Sequence, residues 1–261
     1  MSELTYGRYL RIDDLLGLQE CRSDPPEHDE MLFIVIHQVY ELWFKQVLHE
    51  LDRFAHHVDA DEPFRGLHQL KRVLKILKTL VAQLDVLETM TPLEFVSFRS
   101  FLEGASGFQS VQFRELEFRI GIKDPGHLER LLPVASDPAG LRRRFEEPSL
   151  WDVWLRYLAR QGHPVPTGVL ERDVTERTTE NEAVQQMLIA VYRRHPPLAE
   201  LCEALTDFDE GVMEWRYRHV MMVERTIGAK LGTGGSLGAE YLRTTLFQPA
   251  FPDLWAIRTE F

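Results

Sequence analysis

The sequence predicts an all-α protein, a single-domain helical bundle. Apolar residues recur every three or four positions through most of its 261 residues, and this is the spacing of one face of an α-helix. Hardly any segment alternates apolar and polar residues with β-branched enrichment, as a half-buried strand would. Because 44% of the residues are hydrophobic, the chain can bury a full-sized core, and we expect one domain over residues 1–261.

Composition and charge exclude several classes of partner. The formal net charge is -11 and no run of five Lys or Arg occurs, so a surface for nucleic acid is not expected. The longest apolar run, 31–36, is too short to cross a bilayer, and the N-terminus has no basic head followed by an apolar stretch. Cys21 and Cys202 form no C-x-x-C pair. We therefore expect a cytoplasmic protein with no nucleic-acid or membrane partner.

The first half of the chain predicts two long amphipathic helices and the start of a third. Apolar positions step by three and four through residues 31–55 and again through 63–89, which places them along one face of each helix. The string "TPLEFVSFRSFL" begins with a helix cap. Thr91 stands at the cap, Pro92 follows where its missing N–H costs nothing, and Glu94 completes a capping box.

The second half reads as shorter helices followed by one long helix. Gly104 and Gly107 interrupt the pattern before "FRELEFRIGI", and short helical segments follow in 126–161. Residues 162–182 are Pro- and Thr-rich and predict a long surface connection. A final helix is expected from about Pro197 to Lys230, ended by "GTGGS".

Common catalytic and metal-binding motifs are absent from the sequence. No H-E-x-x-H occurs and no Glu precedes any histidine by three residues, so non-heme zinc and di-iron patterns are not supported. There is no G-x-S-x-G elbow, no Walker loop and no glycine fingerprint for a dinucleotide. The candidates that remain are isolated polar residues on apolar helices.

Two of these candidates are histidines. His37 lies in "MLFIVIHQVYELWFKQVLHEL", and His219 shares a helical stripe with Trp215 and Met222. Two such rings on two long helices suggest a prosthetic group between them, because a neutral imidazole binds heme iron axially. An isolated histidine on a helix is more often a core residue bonded to backbone or carboxylate. Spacing alone leaves both readings open.

Arg99 and the glycine-rich string are candidates for an anion site. Arg99 lies among aromatic residues, where a guanidinium is costly unless an anion meets it. That anion is either a ligand carboxylate or, more commonly, an internal Asp or Glu. The N–H groups of "GTGGS" with the Thr233 hydroxyl can cradle an anion or a zwitterion, although such strings more often only end a helix. Spacing therefore indicates a helical protein with a candidate heme pocket for a small anionic molecule.

Four long strings stand out along the chain: "LTYGRYLRIDDLL", "HDEMLFIVIHQVYELWFKQVLHELD", "LETMTPLEFVSFRSFLEGASGFQSVQFRELE" and "WRYRHVMMVERTIGAKLGTGGSLG". They resemble the tryptophan 2,3-dioxygenases, heme enzymes of tryptophan breakdown, and occur in the order of that family. Together they extend over nearly the whole chain. Agreement over several long, uncommon strings is far more specific than a single short motif.

The resemblance implies a heme pocket inside the bundle. It implies one heme b per subunit, ferrous when active, with His219 as the proximal ligand of the iron. Trp215 is an implied heme contact. Ser106 and Gly107 match a turn over the heme edge near a propionate.

The resemblance also implies a role for each substrate contact. His37 matches the distal histidine that accepts a hydrogen bond from the indole N–H, and Phe33 the aromatic that packs on the indole. Arg99 matches the partner of the substrate carboxylate, and Thr233 the hydroxyl that touches carboxylate and ammonium. Phe95 stands where other members have Phe or Tyr, so its contribution is packing. The full set of implied substrate contacts is Phe33, Ile34, Val35, Ile36, His37, Phe95, Arg99, Thr233, Tyr6, Tyr9 and Leu10.

The N-terminal arm, residues 1–20, is implied to reach into the pocket of a neighbouring subunit through Tyr6, Tyr9 and Leu10. The implied assembly is a homotetramer built as two intimate pairs. The implied reaction inserts both atoms of O2 across the indole C2–C3 bond of L-tryptophan to give N-formyl-L-kynurenine. This is the first step of tryptophan catabolism through the kynurenine pathway.

Three rival interpretations remain at this point. A relative with the same fold that oxidises another aromatic amino acid or a decarboxylated indole is the nearest, although Arg99 and "GTGGS" argue against a substrate without the amino-acid head. A heme sensor or carrier without turnover would have a spectrum indifferent to tryptophan. A purely structural helical protein would show no Soret band after heme is supplied.

Overall fold

A computed structural model of the protein describes residues 4–230 and 238–261, and every regular element in these ranges is a helix. The all-α prediction is confirmed. In chain order the elements are α1 (Tyr6–Leu10), α2 (Ile12–Leu16), α3 (His28–Asp59), α4 (Pro63–Leu87), α5 (Pro92–Arg99), α6 (Val111–Arg119), α7 (Pro125–Leu131), α8 (Pro138–Glu146), α9 (Leu150–Arg160), α10 (Thr167–Leu170), α11 (Glu182–Arg194), α12 (Pro196–Ile227), α13 (Ala239–Thr244) and α14 (Pro252–Ala256), with 3-10 turns at Ser100–Leu102, Gly107–Gln109 and Ile257–Glu260.

Three long helices, α3, α4 and α12, form the centre of the bundle. α4 packs against both of the others, and the apolar stripes predicted from the sequence face inward. The approach of α4 to α3 is close at Gly66, where an added Cβ would lie 2.6 Å from Phe54 Cδ2. Only glycine fits at this contact without displacing the aromatic ring.

One continuous apolar core runs through the bundle from α3 to the C-terminal helices, so the fold is a single domain. A small second cluster lies behind α6, between it and α7 and α8. Its buried members are Phe118, Leu128, Leu131, Leu141 and Phe145. This cluster supports α6 from the side opposite the main core and thereby fixes the position of its polar residues.

The capping box predicted at the start of α5 is confirmed. The Thr91 hydroxyl accepts from the backbone N–H of Glu94 at 3.3 Å, and the Glu94 carboxylate accepts from the N–H of Thr91 at 2.6 Å. Because Pro92 fixes the first turn, the helix begins at one defined residue. Its last residue is Arg99.

The connection over residues 162–182 follows the surface, as predicted, but it is fixed to the bundle. The guanidinium of Arg172 donates to both carboxylate oxygens of Asp152, at 2.7 and 2.9 Å. Asp152 is itself buried and closes the capping box of α9 with Ser149. The connection also contains the short helix α10.

The last long helix ends earlier than the sequence predicts. α12 stops at Ile227, because Gly228 takes a positive φ of 60° that other residues rarely adopt. The predicted end, near Lys230, is therefore three residues too late. Residues 231–237, which include "GTGGS", lie outside the described residues.

The N-terminal arm lies on the surface of the protein. No residue of α1 or α2 is buried, while the segment that joins the arm to α3 is held by Glu30. The Glu30 carboxylate accepts from the backbone N–H groups of Arg22 and Ser23 at 2.7 and 2.9 Å and from the Ser23 hydroxyl. None of the helices in the described ranges is long and apolar enough to cross a membrane.

Candidate active site

A single cavity contains both candidate histidines, His37 from α3 and His219 from α12. Its walls come from α3, α4, α5, α6, α12 and α13 and from the turn at 106–108. The lining is mainly apolar and aromatic: Phe33, Ile36, Tyr40, Phe44, Leu84, Leu87, Met90, Phe95, Phe108, Phe113, Trp215, Val220, Met222, Val223, Ile227 and Leu242 belong to it. A mostly apolar cleft with a few convergent polar groups is typical of a small-molecule or cofactor site.

The ring of His37 is held in one tautomer. Its Nδ1 lies 2.7 Å from the carbonyl oxygen of Phe33, one turn earlier in α3. Since a carbonyl oxygen only accepts, Nδ1 carries the proton, and the neutral ring keeps an acceptor lone pair on Nε2. Burial lowers the pKa of His37, against smaller effects from the Phe33 carbonyl and Glu41 that raise it. His37 is therefore a neutral hydrogen-bond acceptor in an apolar cavity.

His219 lines the cavity from α12. Burial lowers its pKa to about 4, with smaller electrostatic contributions from His37 and Arg114. The indole of Trp215 lies parallel to the imidazole, with ring centroids 5.1 Å apart and 7° between the planes. Within residues 4–230 and 238–261 no hydrogen bond reaches either ring nitrogen of His219. A neutral imidazole with an unused lone pair thus faces the cavity.

An aromatic group with one guanidinium lies beside His37. The ring of Phe33 contacts the imidazole at a centroid distance of 4.1 Å and lies 5.8 Å from the ring of Phe95. The guanidinium carbon of Arg99 is 6.0 Å from the centre of the Phe95 ring. Both Phe95 and Arg99 line the cavity. The site therefore combines a flat apolar surface with a cation suited to a planar carboxylate.

Some of the other predicted site residues line the cavity and some do not. Ile36, Ser106, Gly107 and Trp215 line the cavity together with the residues already described. Ile34 and Val35 do not belong to the part of the wall that the structure describes, because the helical step turns them to other faces of α3. Tyr6, Tyr9 and Leu10 are 77%, 72% and 42% exposed on the N-terminal arm. Thr233 lies outside the described residues.

One wall of the cavity contains a charged group that the sequence patterns do not predict. Arg114 and Glu117 project from α6, and Arg216 projects from α12. Glu41, one turn after His37, also lines the cavity, and its carboxylate accepts from the Gln112 side chain at 2.8 Å. A signal existed in the pair Arg114 and Glu117, which are three residues apart on a helix, but nothing local links this pair to Arg216.

Comparison with known proteins identifies the family. The sequence profile of a family described as tryptophan 2,3-dioxygenase matches residues 1–131 and 174–261. The chain belongs to the tryptophan 2,3-dioxygenase family. The residues outside the profile match, 132–173, contribute nothing to the cavity wall as far as it is described.

Individual relatives agree over almost their whole length. The tryptophan 2,3-dioxygenase of Herpetosiphon aurantiacus is 57% identical over 257 residues, which cover 98% of each chain. That of Anaeromyxobacter sp. strain K is 57% identical over 98% of this chain and 96% of its own. That of Bordetella pertussis is 45% identical over 99% of this chain and 91% of its own. The resemblance found in the sequence is confirmed, and it includes every helix that lines the cavity.

Proposed function

We propose that the protein is a heme-dependent dioxygenase that inserts both atoms of O2 across the indole C2–C3 bond of L-tryptophan. The product is N-formyl-L-kynurenine, and the reaction is the first step of tryptophan catabolism through the kynurenine pathway. One observation carries the proposal: His37 and His219 line the same largely apolar cavity, and each is a neutral imidazole with a lone pair to offer. Membership of the family supports the same reaction.

The residues present fit a heme b, one per subunit. His219 would ligate the iron, since its ring is neutral and its nitrogens accept no other bond from the described chain. Trp215, stacked on the imidazole, holds the ring in one orientation, and Ser106 and Gly107 form a turn at the cavity edge. An added Cβ at Gly107 would meet nothing within 4 Å, so the cavity is open there. When bound in the ferrous state, heme supplies the chemistry that lets O2 react with an indole.

The chain itself supplies orientation and exclusion of water. His37 Nε2 accepts the indole N–H, and Phe33 packs on the indole ring, which together fix the face that reacts. Arg99 pairs with the substrate carboxylate through its planar fork, and Thr233 touches carboxylate and ammonium. Phe95 adds apolar surface beneath Arg99. Ile36, which lines the cavity, is a further proposed substrate contact.

The proposed assembly is a homotetramer of two intimate pairs in the cytoplasm. The exposure of Tyr6, Tyr9 and Leu10 supports it, because a surface helix with three large apolar residues gains from burial in a neighbouring subunit. Light scattering of the full chain and of a chain lacking residues 1–20 tests the assembly. A full-length protein that scatters as a monomer would contradict it.

The reaction is tested with ferrous, heme-loaded protein, L-tryptophan and 18O2. We expect a product heavier than tryptophan by both labelled oxygen atoms, with the near-ultraviolet absorbance of a formylkynurenine. A protein that binds heme, forms no product and has a spectrum indifferent to tryptophan would be a sensor or carrier without turnover, and would refute the proposal. Tryptamine, which lacks the carboxylate, serves as the matched poor substrate.

A further inference from the structure

A buried charge cluster on one wall of the cavity contains two guanidiniums and one carboxylate. Arg216 Nη2 lies 2.6 Å from Oε1 of Glu117, and Arg114 donates to the other oxygen of the same carboxylate. All three residues are at most 5% exposed. Arg177 and Asp209 lie within electrostatic reach of Arg216 and have opposite signs. The cluster therefore has one positive charge in excess.

A buried excess charge is costly unless an anion meets it. Each guanidinium has five N–H groups, and in the described chain Arg114 donates one hydrogen bond and Arg216 two, the second to the carbonyl of Thr245. All three side chains of the cluster line the cavity. The remaining donors are thus available to an anion inside the cavity.

The cluster lies beside the candidate iron ligand. Arg216 precedes His219 by three residues in α12, so the two side chains leave neighbouring positions of the helix. Arg114, Arg216 and His219 all line the same cavity. A macrocycle ligated by His219 would therefore share its cavity with both guanidiniums.

The same wall continues into the turn at the cavity edge. The ring of Phe108 packs edge-on against that of Tyr241, with centroids 5.5 Å apart. Tyr241 belongs to α13. The residue that follows this helix is Thr245, and its carbonyl oxygen accepts a hydrogen bond from Arg216. The turn, α13 and the cluster are thus linked by contacts, whereas the lining at Phe33, Leu87 and Met90 is apolar.

We infer that Arg114 and Arg216, held together by Glu117, form the receptor for a propionate carboxylate at the rim of the heme. The inference rests on the proposed function, because the macrocycle is the heme proposed above. Glu117 is a positioning residue. It keeps two like charges side by side in an apolar wall and leaves an excess of one for the incoming carboxylate.

The test compares hemin with hemin dimethyl ester, which has the same macrocycle without the two anions. Each is loaded into the heme-free protein, and its loss to excess apomyoglobin is followed in the Soret band. We expect Arg114→Gln and Arg216→Gln to speed the loss of hemin by about tenfold to hundredfold, the effect of charge-assisted hydrogen bonds. Loss of the ester should be nearly the same from wild type and both variants.

Arg119→Gln is the matched control. Arg119 is a buried arginine of the same helix, α6, but it pairs with Asp52 and does not line the described cavity. Its replacement should leave the loss of hemin and of the ester unchanged. Retention of the ester also shows that each variant keeps a folded pocket.

The outcomes separate the inference from the function on which it rests. If the variants lose hemin no faster than wild type does, as with the ester, the inference is overturned and the proposed function stays intact. Variants that retain hemin but bind L-tryptophan more weakly would also overturn it, since the receptor would then serve the substrate. Failure of wild type to bind hemin at all would overturn both.

Discussion

His37 Nδ1 donates to the carbonyl oxygen of Phe33 at 2.7 Å, one turn earlier in α3. This bond decides the chemistry of the other ring nitrogen, because a ring protonated at Nδ1 presents a lone pair at Nε2. The same residue, Phe33, supplies the carbonyl from its backbone and an aromatic face from its side chain. One turn of helix therefore combines an acceptor with a stacking surface.

Removing the acceptor at His37 should weaken recognition of the indole N–H. We expect His37→Leu to lose about 1–3 kcal/mol of binding for L-tryptophan, the cost of leaving a buried donor unmatched. For 1-methyl-L-tryptophan, which has no indole N–H, the loss should be negligible. Binding is measured by optical titration of the heme-loaded proteins. Equal losses for the two ligands would show that His37 acts only through packing.

The pH dependence of catalysis follows from the buried position of His37. Burial lowers its pKa below 6.5, so the ring stays neutral at pH values where an exposed histidine is half protonated. We expect kcat/KM to be constant from about pH 8 down to 6.5 and to fall only in more acidic solution. Glu41 raises the pKa of His37, so Glu41→Gln should move this fall to still lower pH. An acid limb centred above 6.5 would contradict the assignment.

Replacement of Arg99 should affect substrates according to their carboxylate. We expect Arg99→Ala to lower kcat/KM for L-tryptophan by the equivalent of about 2–5 kcal/mol, the range for a buried charge that loses its partner. Tryptamine lacks that carboxylate, so its slow turnover should change little. Steady-state rates of wild type and variant with both compounds provide the measurement. A similar loss for tryptamine would assign Arg99 a structural role.

Glu117 should be important for stability as well as for the geometry of the cavity. Glu117→Gln leaves two buried guanidiniums without a carboxylate, and we expect the free energy of unfolding to fall by about 3–5 kcal/mol. The control is Glu203→Gln, whose pairing with Arg258 involves side chains 48% and 33% exposed. Its cost should be below about 1 kcal/mol, because solvent screens the pair. Urea denaturation of the heme-free proteins at neutral pH compares the two, and equal costs would refute the prediction.

Much of this fold can be predicted from local patterns of apolar and capping residues in the sequence. The stripes of α3 and α4 and the capping box at Thr91 depend on residues three or four positions apart, and all appear in the structure. α12 ends three residues before the predicted end because Gly228 takes a positive φ. Two isolated histidines on apolar stripes, His37 and His219, indicated the cavity that the structure shows.

Local sequence patterns do not predict contacts between helices that are far apart in the chain. The pairing of Arg216 with Glu117 joins α12 to α6 across the bundle, and no spacing rule connects residues so far apart in sequence. The pairing of Arg172 with Asp152 likewise cannot be predicted from the sequence, because it forms only where the connection at 162–182 packs against α9. Such contacts depend on tertiary packing rather than on periodicity.

The two imidazoles of the cavity belong to the first and the last long helices of the chain, α3 and α12. During synthesis the N-terminal portion leaves the ribosome first, and at that stage the distal half of the site exists without its counterpart. If His219 ligates the iron as proposed, a nascent polypeptide that has not yet released α12 has no iron ligand to offer. On that assignment, capture of the porphyrin would follow translation, and a product terminated before α12 would remain colourless.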